Sequence, residues 1–180
     1  MTSIVFLFGT LIICYVIYLY YYQNCKKVNS QTICINNDND KKKFEYLELI
    51  QLNFDKLKKY LIKTHPTHDI TKNIKKNLLD TTIITEIISS KHVAYSKNKG
   101  EQISFCLEDD IIDNNTIMFV ALHELSHIVT DEIGHTYIFW ENFKFILKCA
   151  IKCNIYQPKN YKDYPVHFCN LKIDYNPLYG

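Results

Sequence analysis

Three histidines and one glutamate in the second half of the chain have the spacing of a catalytic metal site. The segment His-Glu-Leu-Ser-His begins at His123 and ends at His127, and His135 follows eight positions later. On a helix, residues four apart share one face with their Cβ atoms about 5–6 Å apart, which allows both imidazoles to bind one ion at roughly 2.0–2.1 Å. Glu124 lies about a quarter-turn away, where its carboxylate reaches water on the metal without binding the ion. The pattern predicts hydrolysis by a water molecule that a metal ion activates.

The residues around this motif predict a buried helix. The run 117–122 leads into the motif without Gly or Pro, and residues 114–116 offer the capping side chains of Asn-Asn-Thr. Apolar residues are interleaved with the motif, namely Val120, Leu122, Leu125, Ile128 and Val129. A histidine pair in such a helix needs a partner. The alternative is a core histidine pair with Glu124 in a salt bridge, and it leaves the placement of His135 unexplained.

The third ligand is predicted from geometry. Asp131 continues the histidine face, but at about 1.5 Å rise per residue it lies roughly 12 Å from His123 along a straight helix. Gly134 is able to take a positive φ and reverse the backbone, which favours His135 as the third ligand. Glu141, on the next helix, is the second candidate. A fourth position open to water is what a catalytic site requires.

This region resembles a family of zinc peptidases. The resemblance rests on the segment 123–127, on Gly134-His135, on Phe139-Trp140, and on a following apolar helix through Phe143, Leu147 and Ile151. Together these are similar to the WLM and SprT-like zinc metallopeptidases, above all to small versions carried by large DNA viruses. Further similar stretches are Ala94-Tyr95, Asn98-Lys99-Gly100, residues 103–107 and Asn176-Pro177-Leu178, so that the likeness covers roughly residues 44–180.

The resemblance implies particular roles and a fold. His123, His127 and His135 would bind Zn²⁺, and Glu124 would be the general base of a peptidase. The expected fold class is α+β: the resemblance implies a small zincin-like domain that contains a short β-hairpin and the HExxH helix, and we expect a transmembrane helix before it. The spacing of the third histidine differs from that of the metzincins, and Thr130 stands where their glycine would be, which disfavours that branch.

Two short strands are predicted just before the metal helix, at about 91–96 and 101–107. They are joined through Asn98-Lys99-Gly100, whose composition suits a tight hairpin. An edge strand beside the metal is able to pair with an extended backbone, so the expected partner is a protein or peptide substrate bound by β-augmentation.

Composition disfavours a nucleic-acid partner. The chain has 21 basic residues, all of them Lys, and a net charge of +2. The abundant Lys, Asn and Ile are typical of an A/T-rich genome, so lysine runs carry little functional information. Without Arg or an interleaved aromatic and basic pattern, no nucleic-acid surface is predicted. The oligomeric state is not predicted.

The N-terminal region predicts a membrane anchor. Residues 3–22 contain no charge and are long enough to cross a hydrocarbon core of about 30 Å, and no signal-peptide cleavage pattern is visible. The segment 1–24 is therefore expected to be a single-pass anchor. The lysines that follow it, Lys26, Lys27 and those at 41–43, predict a cytosolic catalytic domain.

A cytosolic domain has consequences for its cysteines. We expect reduced thiols at Cys25, Cys34, Cys106, Cys149, Cys153 and Cys169, and no glycan on Asn114. The opposite orientation stays open as an alternative and would make a Cys25–Cys34 disulfide plausible. Cys149 and Cys153 are four residues apart on a predicted helix, which suits two small apolar side chains better than a bridge.

The rest of the chain divides simply. Residues 25–42 are expected to be a solvated linker, and 43–180 the catalytic domain. Apolar residues at three- and four-residue intervals over 44–61 predict an amphipathic helix that ends before Pro66, and a shorter helix is expected at 70–79.

The C-terminal segment, 156–179, is expected to wrap the core and line the cleft. Four of its side chains are candidate hydrogen-bond donors to a tetrahedral intermediate: Tyr161, Tyr164, His167 and Tyr175. Two other functions are weighed. One is a membrane-anchored scaffold whose metal site is only structural. The other is a protease that acts on DNA-crosslinked protein, against which the membrane anchor argues.

Overall fold

A computed structural model describes most of the chain. The described residues are 2–29, 31–35, 40–87, 92–108 and 112–180, with side chains of 2–5 and 19–24 outside the description. The helices are α1 Thr2–Asn24, α2 Lys41–Thr64, α3 Asp69–Asn77, α4 Asn114–Val129 and α5 Tyr137–Lys152. The strands are β1 Cys25–Val28, β2 Gln31–Cys34, β3 Ile83–Glu86, β4 Ala94–Lys97, β5 Gln102–Phe105, β6 Val166–Phe168 and β7 Leu171–Ile173. The α+β class is therefore as predicted.

Two sheets are formed by the described strands. The larger sheet has the order β1-β2-β3-β5-β4, with parallel pairing of β2 to β3 and of β3 to β5. Its two outer pairs, β1 with β2 and β4 with β5, are antiparallel hairpins. The smaller sheet is the antiparallel hairpin β6-β7. The predicted hairpin over 91–107 is confirmed as β4-β5, and β4 lies at the edge of the large sheet.

Helix α4 is buried because its neighbours cover it on several sides. It packs against α2, α3, α5 and the edge strand β4. Ile117, Ala121 and Leu125 have no exposed surface. The cap is Asp113, one residue before the predicted capping segment, and its carboxylate accepts a hydrogen bond from the backbone N–H of Thr116 at 2.9 Å. The buried helix predicted around residues 123–127 is confirmed.

The prediction of a membrane anchor is wrong. Residues 3–22 do form a helix, but within the described part of the chain no helix combines the length and the apolarity needed to cross a membrane. The predicted single-pass membrane localisation and the predicted cytosolic orientation both depended on this anchor, so they lose their basis as well.

The prediction that residues 25–42 form a solvated linker is also wrong over its first part. Residues 25–34 form β1 and β2, and Ile33 in β2 is fully buried between the sheet and α2. Alternation was not visible here because the strands are only four residues long, and because polar Gln31 occupies a buried position of β2 while two consecutive lysines are exposed in β1. The Asn- and Asp-rich part, 36–39, lies outside the described residues. The helices predicted at 44–61 and 70–79 are confirmed as α2 and α3.

Two disulfide bonds contradict the expectation of reduced cysteines. Cys25 bonds to Cys34 across the β1-β2 hairpin, where the strand register places the two residues directly opposite each other. Cys106, which follows β5, bonds to Cys169 in the turn between β6 and β7. The thiols of Cys149 and Cys153 remain free and buried, as their helical spacing predicted.

The two disulfides are expected to differ in their contribution to stability. Cys106–Cys169 spans 63 residues and Cys25–Cys34 spans 9. The loop-closure model gives stabilisation of about 4 kcal/mol for the long loop and about 2.5 kcal/mol for the short one. The paired serine variants of each bond should therefore differ in the free energy of unfolding measured with denaturant. Equal losses in both variants would contradict the model.

Candidate metal centre

Three imidazoles converge at the C-terminal end of α4. The Nε2 atom of His127 lies 3.3 Å from that of His123 and 3.1 Å from that of His135, and the Nε2 atoms of His135 and His123 are 3.0 Å apart. His123 and His127 come from consecutive turns of α4, whereas His135 returns from the loop before α5. Among the described residues, these three form a group of side chains whose ligand atoms are close enough to hold one ion.

The separations fit a zinc ion. Tetrahedral ligands at about 2.0–2.1 Å from Zn²⁺ lie about 3.3–3.4 Å from each other, close to the three observed separations. Hydrogen bonds among the three rings explain the cluster less well. A neutral imidazole has only one N–H, so three Nε2 atoms that lie this close together cannot all be paired as donor and acceptor. One cation at the centre of the three Nε2 atoms contacts all three lone pairs at once. The donor set, three imidazole nitrogens, is one that suits zinc.

Aromatic rings of α5 set the orientation of the imidazoles. His127 stacks on Phe139 with ring centroids 4.3 Å apart, and His135 stacks on Trp140 at 5.5 Å. His123 meets Phe143 edge to face at 5.3 Å. Phe139 and Phe143 have no exposed surface, so these rings form a rigid wall behind the site. In the sequence, Phe139-Trp140 is marked as part of the site only by the family resemblance.

Two of the histidines are held in the neutral form. Burial, followed by the proximity of His127 and His135, lowers the pKa of His123 to about 3. Burial, followed by the proximity of His135 and Lys99, lowers the pKa of His127 to about 4. At neutral pH both rings therefore carry a free lone pair, which is the form that binds a metal ion.

Glu124 lies in the same cleft with little exposed surface. It is 7% exposed, and burial raises the pKa of its carboxyl to about 7. A carboxyl group with a pKa in this range accepts and releases a proton at neutral pH with little free-energy bias. A cation on the neighbouring histidines would favour the ionised form and lower that pKa again. The salt bridge considered as an alternative for Glu124 is not among the ion pairs of the described residues.

The structure places His135 beside the histidine pair on α4, and it places neither of the other two candidate ligands there. Asp131 and Glu141 are exposed and lie outside both the cleft and the histidine group. Gly134 has φ +84°, the left-handed conformation expected for the chain reversal. His135 then directly precedes Thr136, whose hydroxyl accepts a hydrogen bond from the Phe139 N–H and caps α5.

The site opens into a cleft of about 880 Å³ with mostly apolar walls. One wall is the edge strand β4 with Val93, and the opposite wall is β7 with the residues that follow it. Of the four candidate donors in the C-terminal segment, Tyr175 alone lines this cleft, with its ring 5.0 Å from that of Trp140. Tyr161 is fully buried in the core, and Tyr164 and His167 are exposed outside the cleft.

Comparison with known proteins finds viral relatives. The chain is 35% identical over 97 residues to an uncharacterized protein of Acanthamoeba polyphaga mimivirus, a match that covers 52% of this chain and 49% of that protein. It is 32% identical over 99 residues to an uncharacterized protein of Invertebrate iridescent virus 6, covering 51% of this chain and 55% of the relative. A protein of Invertebrate iridescent virus 3 is 37% identical over 82 residues, covering 43% and 50%.

The chain thus spans about half the length of the curated relatives it matches. The viral character of its relatives agrees with the sequence prediction. No family model matches the chain, and no solved structure matches it significantly.

Proposed function

We propose that the protein is a zinc-dependent metallopeptidase. The observation that carries this proposal is the convergence of three histidine Nε2 atoms within 3.0–3.3 Å of one another beside the buried Glu124, inside an open cleft. A closed structural zinc site has four protein ligands, whereas three ligands facing a cleft leave one position for water or substrate. The resemblance to the WLM and SprT-like peptidases supports the same function.

Each residue of the site has a role in this proposal. His123, His127 and His135 would hold Zn²⁺, which when bound supplies a Lewis acid that polarises the substrate carbonyl and acidifies water. Glu124 would accept the proton of the attacking water and then donate it to the leaving amine. Phe139 and its neighbours on α5 would keep the imidazoles fixed, so that the ligands need no reorganisation.

The substrate would be a polypeptide in an extended conformation. Among the described strands, β4 pairs only with β5 and lies at the edge of the sheet, and its residues Ala94, Tyr95 and Ser96 line the cleft. Backbone hydrogen bonds to this edge would hold the scissile carbonyl over the metal. Tyr175, on the opposite wall, is the remaining candidate for a donor to the tetrahedral intermediate.

The alternative of a protease for DNA-crosslinked protein is affected by the structure. The argument against it from a membrane anchor no longer applies. The absence of Arg and the mixed charges of the cleft, where Lys99 and Lys172 face Glu132 and Asp174, still give no basic surface for nucleic acid. We therefore keep a general peptidase as the proposal.

The test is hydrolysis by the purified full-length chain. Zinc-loaded protein incubated with a mixture of unstructured peptides should cleave internal peptide bonds, as read by mass spectrometry. A chelator should stop cleavage, and added zinc should restore it, because the metal is the Lewis acid of the reaction. Zinc-loaded protein that cleaves no peptide would favour the alternative of a structural metal site.

A further inference from the structure

Lys99 lies at the tip of the β4-β5 hairpin and reaches the end of the metal helix. Its Nζ donates to the backbone carbonyl oxygens of His127 at 3.3 Å, Asp131 at 3.4 Å and Glu132 at 3.5 Å, and makes its shortest contact with that of Thr130. The last carbonyls of a helix have no partner within the helix and carry partial negative charge. A single ammonium group therefore neutralises both the end of α4 and the turn that follows it.

The hairpin tip that carries Lys99 is held firmly. Asn98, Lys99 and Gly100 have φ values of +48°, +54° and +108°, a conformation that side chains other than glycine rarely adopt. A Cβ atom at Gly100 would lie 2.6 Å from the carbonyl oxygen of Asn77, so the tip sits directly on α3. Consecutive residues in this conformation persist only where surrounding contacts determine them. The backbone position of Lys99 is thus fixed, and this restricts where its ammonium group can lie.

The contacts of Lys99 differ from those of the other caps on α4. The side-chain amides of Asn73 and Asn77 donate to the carbonyls of Val129 and Ile128, both at 2.8 Å. Both of the carbonyl groups that accept these hydrogen bonds belong to α4 itself. Lys99 contacts the helix end and also the reversal at 130–132, which carries the chain back to the third histidine.

The residues that follow Thr130, from 131 to 135, are exposed and have little packing of their own. Ile133 is 93% exposed, and a side chain at Gly134 would meet nothing within 4 Å. Two other interactions support the ends of this loop: Asn142 donates to the Thr130 hydroxyl at 2.9 Å, and Thr136 caps α5. Between these ends, the Lys99 ammonium contacts the backbone carbonyls of Asp131 and Glu132.

We propose that Lys99 is a positioning residue of the metal site: by binding the carbonyls of the reversal, it places His135 against His123 and His127 before the metal arrives. This inference rests on the proposed function and extends it to a residue outside the HExxH segment. Preorganisation of a ligand saves ordering entropy when the ion binds, so loss of Lys99 should appear as weaker metal affinity. The effect of Lys99 on zinc affinity should therefore be seen only when His135 is present.

The test is a double-mutant cycle on zinc affinity in the full-length chain, measured by competition with a chromophoric chelator. Lys99→Met keeps the length of the stem and removes the charge, and should weaken zinc binding about 10- to 100-fold, the range for residues that orient metal ligands. His135→Ala should weaken it more. The double variant should bind zinc as His135→Ala does, because without the third ligand nothing remains for Lys99 to position.

The matched control is Asn73→Ala, which removes a cap from the same helix end without touching the reversal. It should lower the unfolding temperature and leave zinc affinity within about threefold. If Lys99→Met does not fold, Lys99→Gln, which keeps one donor group, replaces it in the same cycle. Unchanged zinc affinity in the Lys99 variant, or an equal loss with and without His135, would overturn the inference.

Failure of this inference is distinguishable from failure of the proposed function. A parent protein that binds zinc but hydrolyses no peptide would overturn the peptidase proposal and leave the cycle interpretable. A parent protein that binds no zinc would overturn both proposals.

Discussion

Glu124→Gln is expected to lower kcat for peptide hydrolysis by about 10²- to 10⁴-fold, the contribution typical of a general base. Glutamine has nearly the same shape but cannot accept a proton at neutral pH. Because Glu124 is separate from the three-histidine group, the variant should bind zinc as the parent does. It should also be at least as stable, since the substitution removes a carboxylate that is only 7% exposed. Turnover, zinc content and thermal unfolding are measured on the same preparations.

Glu132→Gln is the matched control for that result. Glu132 is an exposed carboxylate that lines the same cleft, so the substitution makes the same change in charge away from the buried position. It should leave kcat within a few-fold of the parent. Parent-like turnover in Glu124→Gln would remove the peptidase proposal and favour a structural metal site.

Removal of either histidine on α4 is expected to abolish stoichiometric zinc binding. His123 and His127 come from one rigid helix and each supplies one of three converging nitrogens. His123→Ala and His127→Ala should each weaken zinc affinity by more than about 100-fold, the upper range for residues that only orient ligands. His135→Ala should also weaken binding, and by less, because the two helix ligands remain in place. Bound zinc is measured by inductively coupled plasma mass spectrometry after gel filtration.

His92→Ala provides the control for the loss of an imidazole. His92 lines the cleft and is exposed, outside the three-histidine group. Its substitution should leave one zinc per chain. Unchanged zinc affinity in His135→Ala would show that the third nitrogen does not bind the ion, despite its position 3.0 Å from the Nε2 atom of His123.

Much of the candidate site follows from local spacing. His123, Glu124 and His127 lie on one helix, and helical periodicity alone places the two imidazoles on one face. Gly134 predicted the chain reversal that places His135 near the other two histidines, because few other residues adopt a positive φ at low cost. The hairpin tip at 98–100 was likewise visible as a cluster of turn residues. These are interactions between residues close in sequence.

Errors arose where local composition was extrapolated to a larger structure. An uncharged apolar run at 3–22 was taken for a membrane span, whereas none of the described helices meets that requirement. The polar run at 36–40 and the nearby lysines suggested a solvated linker over 25–42, yet residues 25–34 form two strands of a sheet that is completed by strands from 83–105. Strands this short have too few positions for alternation to be recognised.

The sequence by itself determined which side chains form the candidate site, because residue type and helical spacing bring His123 and His127 to one face and Gly134 indicates the reversal before His135. Tertiary structure decided which distant groups complete it. The choice of Tyr175 over Tyr161, the bond from Cys106 to Cys169, and the reach of Lys99 to the carbonyls of 130–132 all depend on long-range packing. Such contacts follow from how the sheet and helices assemble, and no local pattern encodes which partner a side chain will meet.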